Sequence, residues 1–139
     1  MRAMKLLILA VMSAAILAGV GLLPDRLCFE GGENYTFYCG TSSSDCKTVV
    51  ADKNAEIQRL LLKEVCGESC RYDSLDLESF LKRYGGEVVF VEELSDSVNY
   101  YCKADLPYSV ILRGKEINLH ICVRSEFTVA GSPIIFGGY

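Results

Sequence analysis

The sequence predicts a two-layer α+β domain, with helices on one face of a mostly antiparallel sheet, behind an apolar N-terminal segment. Three observations carry this. From residue 87 onward apolar residues recur with a period of two. Leu77, Phe80, Leu81 and Tyr84 recur at helical spacing. Residues 6–23 form an uncharged run of 18 residues.

The apolar run comes first. As a helix it spans about 27 Å at ~1.5 Å per residue, close to the thickness of a bilayer core. Arg2 and Lys5 precede it, and Pro24-Asp25-Arg26 follow. Residues 1–26 therefore read as a signal anchor or, alternatively, a signal peptide. The best small-x-small cleavage site, Gly19-Val20-Gly21, lies inside the run, which favours the uncleaved anchor. A lipoprotein is excluded, because Asp25-Arg26-Leu27 rather than small residues precede Cys28. With Arg2 and Lys5 inside, the rest of the chain faces out from a cell membrane that it crosses once, or is secreted if the run is cleaved.

The chain has 139 residues, 14 Lys+Arg and 18 Asp+Glu, for a formal charge of −4. Arg2 and Lys5 are the only charges before residue 24, which leaves 12 basic against 18 acidic residues, a formal −6, for the remainder. Such a domain repels phosphate, so no nucleic-acid partner is expected. The expected partners are the membrane, through the N-terminal helix, and an unidentified protein or envelope component.

Residues 27–33 read as a tether to an extracytoplasmic domain at 34–139. The aromatic-rich stretch 34–40 is a strand, 41–45 a polar loop and 46–51 a second strand, together a hairpin. Asp52-Lys53-Asn54 can cap a helix whose face carries Ile57, Leu60, Leu61 and Val65 and which Gly67 ends; a strand at 59–66 is the alternative. In the next helix Asp73, Ser74, Asp76 and Glu78 crowd the start, Lys82 and Arg83 the last turn, and Gly85-Gly86 the stop. Strands follow at 87–93, 98–104, 108–112 and 117–124, with 108–112 lying between the second and the last. Ile117, Leu119, Ile121 and Val123 face one way; Asn118, His120, Cys122 and Arg124 face the other. Strands at 127–130 and 133–136 close the chain around Gly131.

Seven cysteines cannot all pair within one chain. Cys39 and Cys46 flank the hairpin loop and form the best candidate disulfide. Cys66 and Cys70 are a weaker one, closing a small loop. Cys102 and Cys122 would stand two strand spacings apart, about 9–10 Å, beyond the ~7 Å reach of a bridge. C-x6-C with C-x3-C lacks the paired C-x2-C knuckles of a zinc ribbon, so no metal and no cofactor are expected.

His120 is the only imidazole. Two residues along one strand face from Cys122, it is poorly placed to activate that sulfur, and it reads as a hydrogen-bonded structural residue rather than as the base of a thiol enzyme. No catalytic residue is assigned. Glu92, Glu93 and Asp96, like Asp73 and Asp76, are sequence neighbours at a turn or helix start and read as solvated or capping groups. Tyr100 and Tyr101 point to opposite faces, one core and one exposed. With His120 and Arg124 they are the weak candidates for a binding surface.

Asn118-Leu119-His120-Ile121-Cys122-Val123-Arg124, followed by Val129-Ala130-Gly131-Ser132-Pro133-Ile134-Ile135 and a terminal aromatic, resembles the end of the YwmB-like (TATA-box-binding-protein-like) exported proteins of Gram-positive bacteria. Phe37-Tyr38-Cys39-Gly40 and Asp96-Ser97-Val98-Asn99-Tyr100-Tyr101-Cys102 resemble short clostridial proteins given the same label. The resemblance implies a helix packed on a curved antiparallel sheet, here one half-saddle, and brings no catalytic motif. The functional expectation is a small, anchored, outward-facing binding or accessory envelope protein. A thiol-dependent enzyme using His120 and a self-associating structural protein are its rivals.

Overall fold

The structure, a computed structural model, describes residues 26–41, 45–51 and 53–136, together with Met4. The run at 6–23, and with it the anchor expected at 1–26, lies outside the described residues apart from Met4 and Arg26. Among the described residues no helix is long and apolar enough to cross a membrane.

The chain runs β1 (Glu33–Cys39), β2 (Lys47–Ala51), α1 (Ala55–Leu61), β3 (Val65–Tyr72), α2 (Leu77–Arg83), β4 (Glu87–Glu93), β5 (Val98–Lys103), β6 (Val110–Leu112), β7 (Lys115–Ile117), β8 (Leu119–Val123) and β9 (Thr128–Ser132). This is an α+β fold on a curved, antiparallel sheet. Seven strands take the order β2-β1-β3-β9-β8-β5-β4, so the last strand of the chain occupies the centre; β6 and β7 form a separate hairpin.

α2 is the helix the stripe predicts. The Asp76 carboxylate accepts a hydrogen bond from the Ser79 N–H at 3.3 Å at its start, and Gly85, at φ 62°, turns the chain after it. Its buried face is Phe80, which meets Phe29 at 6.0 Å, Tyr72 at 5.5 Å and Tyr84 at 4.7 Å between ring centroids. Tyr35, Phe37, Cys70, Cys102, Leu119, Ile121 and Ala130 complete this helix-side core.

Several expectations are overturned. Residues 27–33 are no tether. Phe29 is fully buried, its N–H is bonded to Glu68, and its carbonyl accepts from the Tyr35 hydroxyl at 2.8 Å. The helix predicted to reach Val65 and Gly67 ends at Leu61, and Val65, Cys66 and Gly67 open β3. Its predicted apolar face is turned outward: Ile57 is 58 %, Leu60 50 % and Leu61 77 % exposed, while Arg59 is buried. Arg59 wins the inner position because a buried carboxylate, Glu68, lies within reach of its charge and the Tyr108 hydroxyl accepts from its guanidinium at 3.0 Å.

The 108–112 strand does not separate 98–104 from 117–124. β5 pairs directly with β8, and β6 pairs only with β7. Cys102 and Cys122 still do not meet, for another reason. Cys102 stands opposite Leu119 and Cys122 opposite Asn99, so the two thiols lie at different heights on opposite faces. The strand predicted at 117–124 breaks at Asn118, whose amide accepts from the Ala104 N–H and donates to the Ala104 carbonyl. Of the two short strands predicted around Gly131, the first is present as β9, which runs on through that glycine to Ser132.

Residues 133–136 form no strand. After a cis Ser132-Pro133 bond they fold back over the sheet face opposite the helices. Gly131 permits this, since a Cβ there would stand 2.7 Å from Ile135 Cγ1 and 3.0 Å from its nitrogen. The tail is pinned by the Tyr38 hydroxyl, which donates to the Phe136 carbonyl, and by a Tyr38–Phe136 edge contact at 4.9 Å. Both sheet faces are thus covered at the centre, one by α2 and the other by the tail.

Candidate functional site

Of the residues singled out from the sequence, Tyr101 and His120 come together. Phe90, Tyr101 and His120 occupy one row across β4, β5 and β8. Their rings stack at 4.5 Å and 4.4 Å, and the Arg113 guanidinium lies 4.7 Å above Phe90. Tyr100 faces the other way and packs against the helix-side core. Both tyrosines are half-buried, rather than one core and one exposed. Arg124 stands apart from the stack, donating to the Asp96 carboxylate and lying 5.7 Å from the Phe127 ring.

His120 is buried beneath the tail. Its Nδ1 accepts the Ile135 N–H at 3.2 Å, which assigns the ring proton to Nε2, 2.8 Å from Asn99 Oδ1. Burial pushes its pKa down to about 4, so the ring is neutral at physiological pH. With one nitrogen accepting a backbone proton and the other donating, neither lone pair is left to take a proton from a thiol.

The most anomalous residues carry no motif in the sequence. Glu68, fully buried on β3, points to the helix side, because its neighbour Ser69 shares a row with Gly131 and His120 on the other face. One carboxylate oxygen accepts the Phe29 N–H at 3.1 Å. The other is buried with no hydrogen-bond partner, as is the hydroxyl of Ser132, the register partner of Glu68. Burial raises Glu68 to about 7, against the lowering effect of the Cys28 and Phe29 N–H groups and of the Arg59 charge. Cys28 and Cys70 are close enough for Glu68 to act on both; burial pushes Cys28 well above the ordinary thiol range and Cys70 to about 12. Glu68 is therefore a proton-exchanging group near neutrality, enclosed where no substrate reaches.

The accessible chemistry lies at the end of β1, β2 and β3. Cys39, Gly40, Cys46, Lys47, Lys63 and Glu64 line an open cleft there. Cys39 stands in register between Lys47 on β2 and Val65 on β3. Beside it the thiol of Cys66, which the sequence pairs with Cys70, instead donates to the Tyr38 carbonyl at 3.4 Å. Cys66 and Cys70 sit four residues apart on one extended strand, about 13 Å, too far for a bridge or a shared metal. The four-thiolate set Cys39, Cys46, Cys66 and Cys70 is therefore not assembled. Among the described residues the cysteines form no disulfide in this structure.

Four of the five tempting carboxylates have a structural partner. Glu92 pairs with Arg113 at 3.1 Å and Asp73 with Arg71 at 3.6 Å, while Asp96 holds Arg124 and Asp76 caps α2.

Comparison of the chain with family models, with curated proteins and with solved structures finds no match. Fold and site define an α+β protein whose buried polar groups hold the sheet together and whose accessible reactive side chains are a cluster of cysteines.

Proposed function

We propose that this is a membrane-anchored protein that presents its folded part on the outer side as a binding or accessory component of the cell envelope, a half-saddle relative of the YwmB-like exported proteins. The observation that carries the reading is the shortness of the link. Only residues 24–26, at most about 11 Å of chain, separate the apolar run from Leu27 and Cys28, which already pack on the core. A bilayer holding residues 6–23 would lie against the domain. The outward stripe of Ile57, Leu60 and Leu61 on α1 suits that position, since Arg59 on the same helix is close enough to Cys28 for its charge to act on the thiol.

The test is fractionation of cells making the full chain, followed by protease treatment of intact cells. The reading expects the chain in the carbonate-washed membrane pellet and its C-terminal domain cut from outside. A soluble chain, a protected domain, or a mature N-terminus beginning after Gly21 would overturn it.

A further inference from the structure

Residues 28–32 cross the helix-side core as neither helix nor strand, and the molecule holds them as it would hold a bound peptide. Side chains meet the backbone of this strap. The Phe29 N–H donates to Glu68 at 3.1 Å, and the Phe29 carbonyl accepts from the Tyr35 hydroxyl at 2.8 Å. The Glu30 N–H donates to the Tyr84 hydroxyl at 3.1 Å, and the Glu30 carbonyl accepts from the Tyr72 hydroxyl at 2.9 Å. The Gly32 N–H donates to the Tyr35 hydroxyl at 3.2 Å. In peptide recognition such main-chain contacts give affinity, and side-chain pockets give selectivity. Here the fully buried Phe29 ring lies 6.0 Å from Phe80 and 5.6 Å from Tyr84 between centroids, and the Glu30 carboxylate pairs with Arg83. At Gly32 a Cβ would stand 2.6 Å from the Cys70 sulfur, which favours glycine there.

Two features make the strap separable from the sheet. Gly31, at φ 74° with open space where a Cβ would stand, is a hinge between the strap and β1. Beneath the strap the second carboxylate oxygen of Glu68 is buried without a hydrogen-bond partner. Lifting the strap returns that group to water, which offsets part of the cost of opening. We propose that the surface under the strap, walled by Tyr35, Glu68, Tyr72, Phe80, Arg83 and Tyr84, is a recognition site for an extended protein segment of the form aromatic-acidic-Gly-Gly, closed in cis by residues 29–32. The strap is both the model of the ligand and its competitor. Tethered at the hinge, it has an effective concentration on the order of millimolar, so a free segment enters when the strap is lifted or when it binds more tightly. The site lies within residues 29–84, so the inference stands independently of an anchor at 6–23.

The experiment uses the full chain in detergent carrying Phe29→Ala, which empties the aromatic pocket. The probe is a fluorescein-labelled peptide of residues 27–33, kept reduced and read by fluorescence anisotropy. Saturable binding is expected, at least about tenfold tighter than to the parent chain, whose own strap competes. The peptide carrying Phe29→Ala should bind at least about 100-fold more weakly, and the peptide carrying Glu30→Lys should also lose affinity. If the Phe29→Ala chain lacks the parent's circular dichroism spectrum, the peptide should restore it saturably. The proposal is overturned by a folded variant that does not bind the peptide, by an unfolded one that the peptide does not restore, by equal affinity for the parent chain, or by undiminished binding of either substituted peptide.

Discussion

The two faces of the sheet bury His120 and Glu68 respectively, and they treat them differently. Under the tail, His120 has a partner for each ring nitrogen and is held neutral. Under the helices, Glu68 has one oxygen bonded and one without a partner, and its charge is offset by Arg59. Depth of burial is the same, but completeness of hydrogen bonding is not. A satisfied neutral group locks its surroundings, whereas a half-satisfied acid is balanced between two protonation states. The two also respond to pH with opposite sign. The raised pKa of Glu68 contributes stability that is present below about 4.5 and lost as pH rises to about 7. The lowered pKa of His120 contributes stability that is present above about 6.5 and lost as pH falls to about 4. Between 4.5 and 6.5 the two slopes oppose each other, and the protein's stability should vary little.

The largest test removes the offsetting charge. Arg59→Met should cost about 3–5 kcal/mol in urea unfolding at pH 8, where Glu68 is ionised, and roughly 1 kcal/mol at pH 4.5, where it is neutral. An equal loss at both would show that Arg59 acts by packing alone. Next, Glu68→Gln should remove one of the two opposing slopes. Stability then rises monotonically from pH 4 to 6.5, and the difference from the parent changes by about 3 kcal/mol between pH 4.5 and 7.5. A parallel pair of pH profiles would contradict the assignment.

On the other face, Asn99→Ala strands the His120 Nε2 proton and should cost about 1–3 kcal/mol by denaturant titration. If the loss is negligible, the bond to Asn99 contributes nothing and His120 is held by the tail alone. The smallest effect is expected at Leu61, on the outward side of α1. Leu61→Gln should change stability by less than about 0.5 kcal/mol yet weaken adsorption of the domain to lipid vesicles measured by flotation. A large drop in Tm would mean that the stripe packs within the fold.

Aromatic richness around a polar loop made β1 and β2 legible in the sequence, charge placement α2, and period-two alternation β4, β5 and β8. These elements have one covered face, or dipole-matched ends, and their patterns report local physics. What failed was decided by non-local partners. Ile57, Leu60 and Leu61 look like a buried stripe, but a buried carboxylate nine residues along from Arg59 reverses the helix. β3 was illegible because Gly67 resembles a helix stop and Glu68 interrupts the apolar pattern. Glu68 as a polar residue in a strand interior was the one available signal. At the thiol cluster, Cys39 and Cys46 followed from the hairpin. Cys66 did not, because a bulge leaves no periodic trace.

The central position of β9 has a consequence for how the molecule is made. β2, β1 and β3 lie on one side of it and β8, β5 and β4 on the other, and among the described residues no other strand joins the two sets in the sheet. A chain emerging vectorially, from a ribosome or through a translocation pore, must therefore hold two open half-sheets until residues 128–132 are delivered, each with an unpaired edge able to capture another chain. Nascent molecules halted short of that point would be aggregation-prone, and delivery of residues 128–132 acts as the checkpoint that closes the fold.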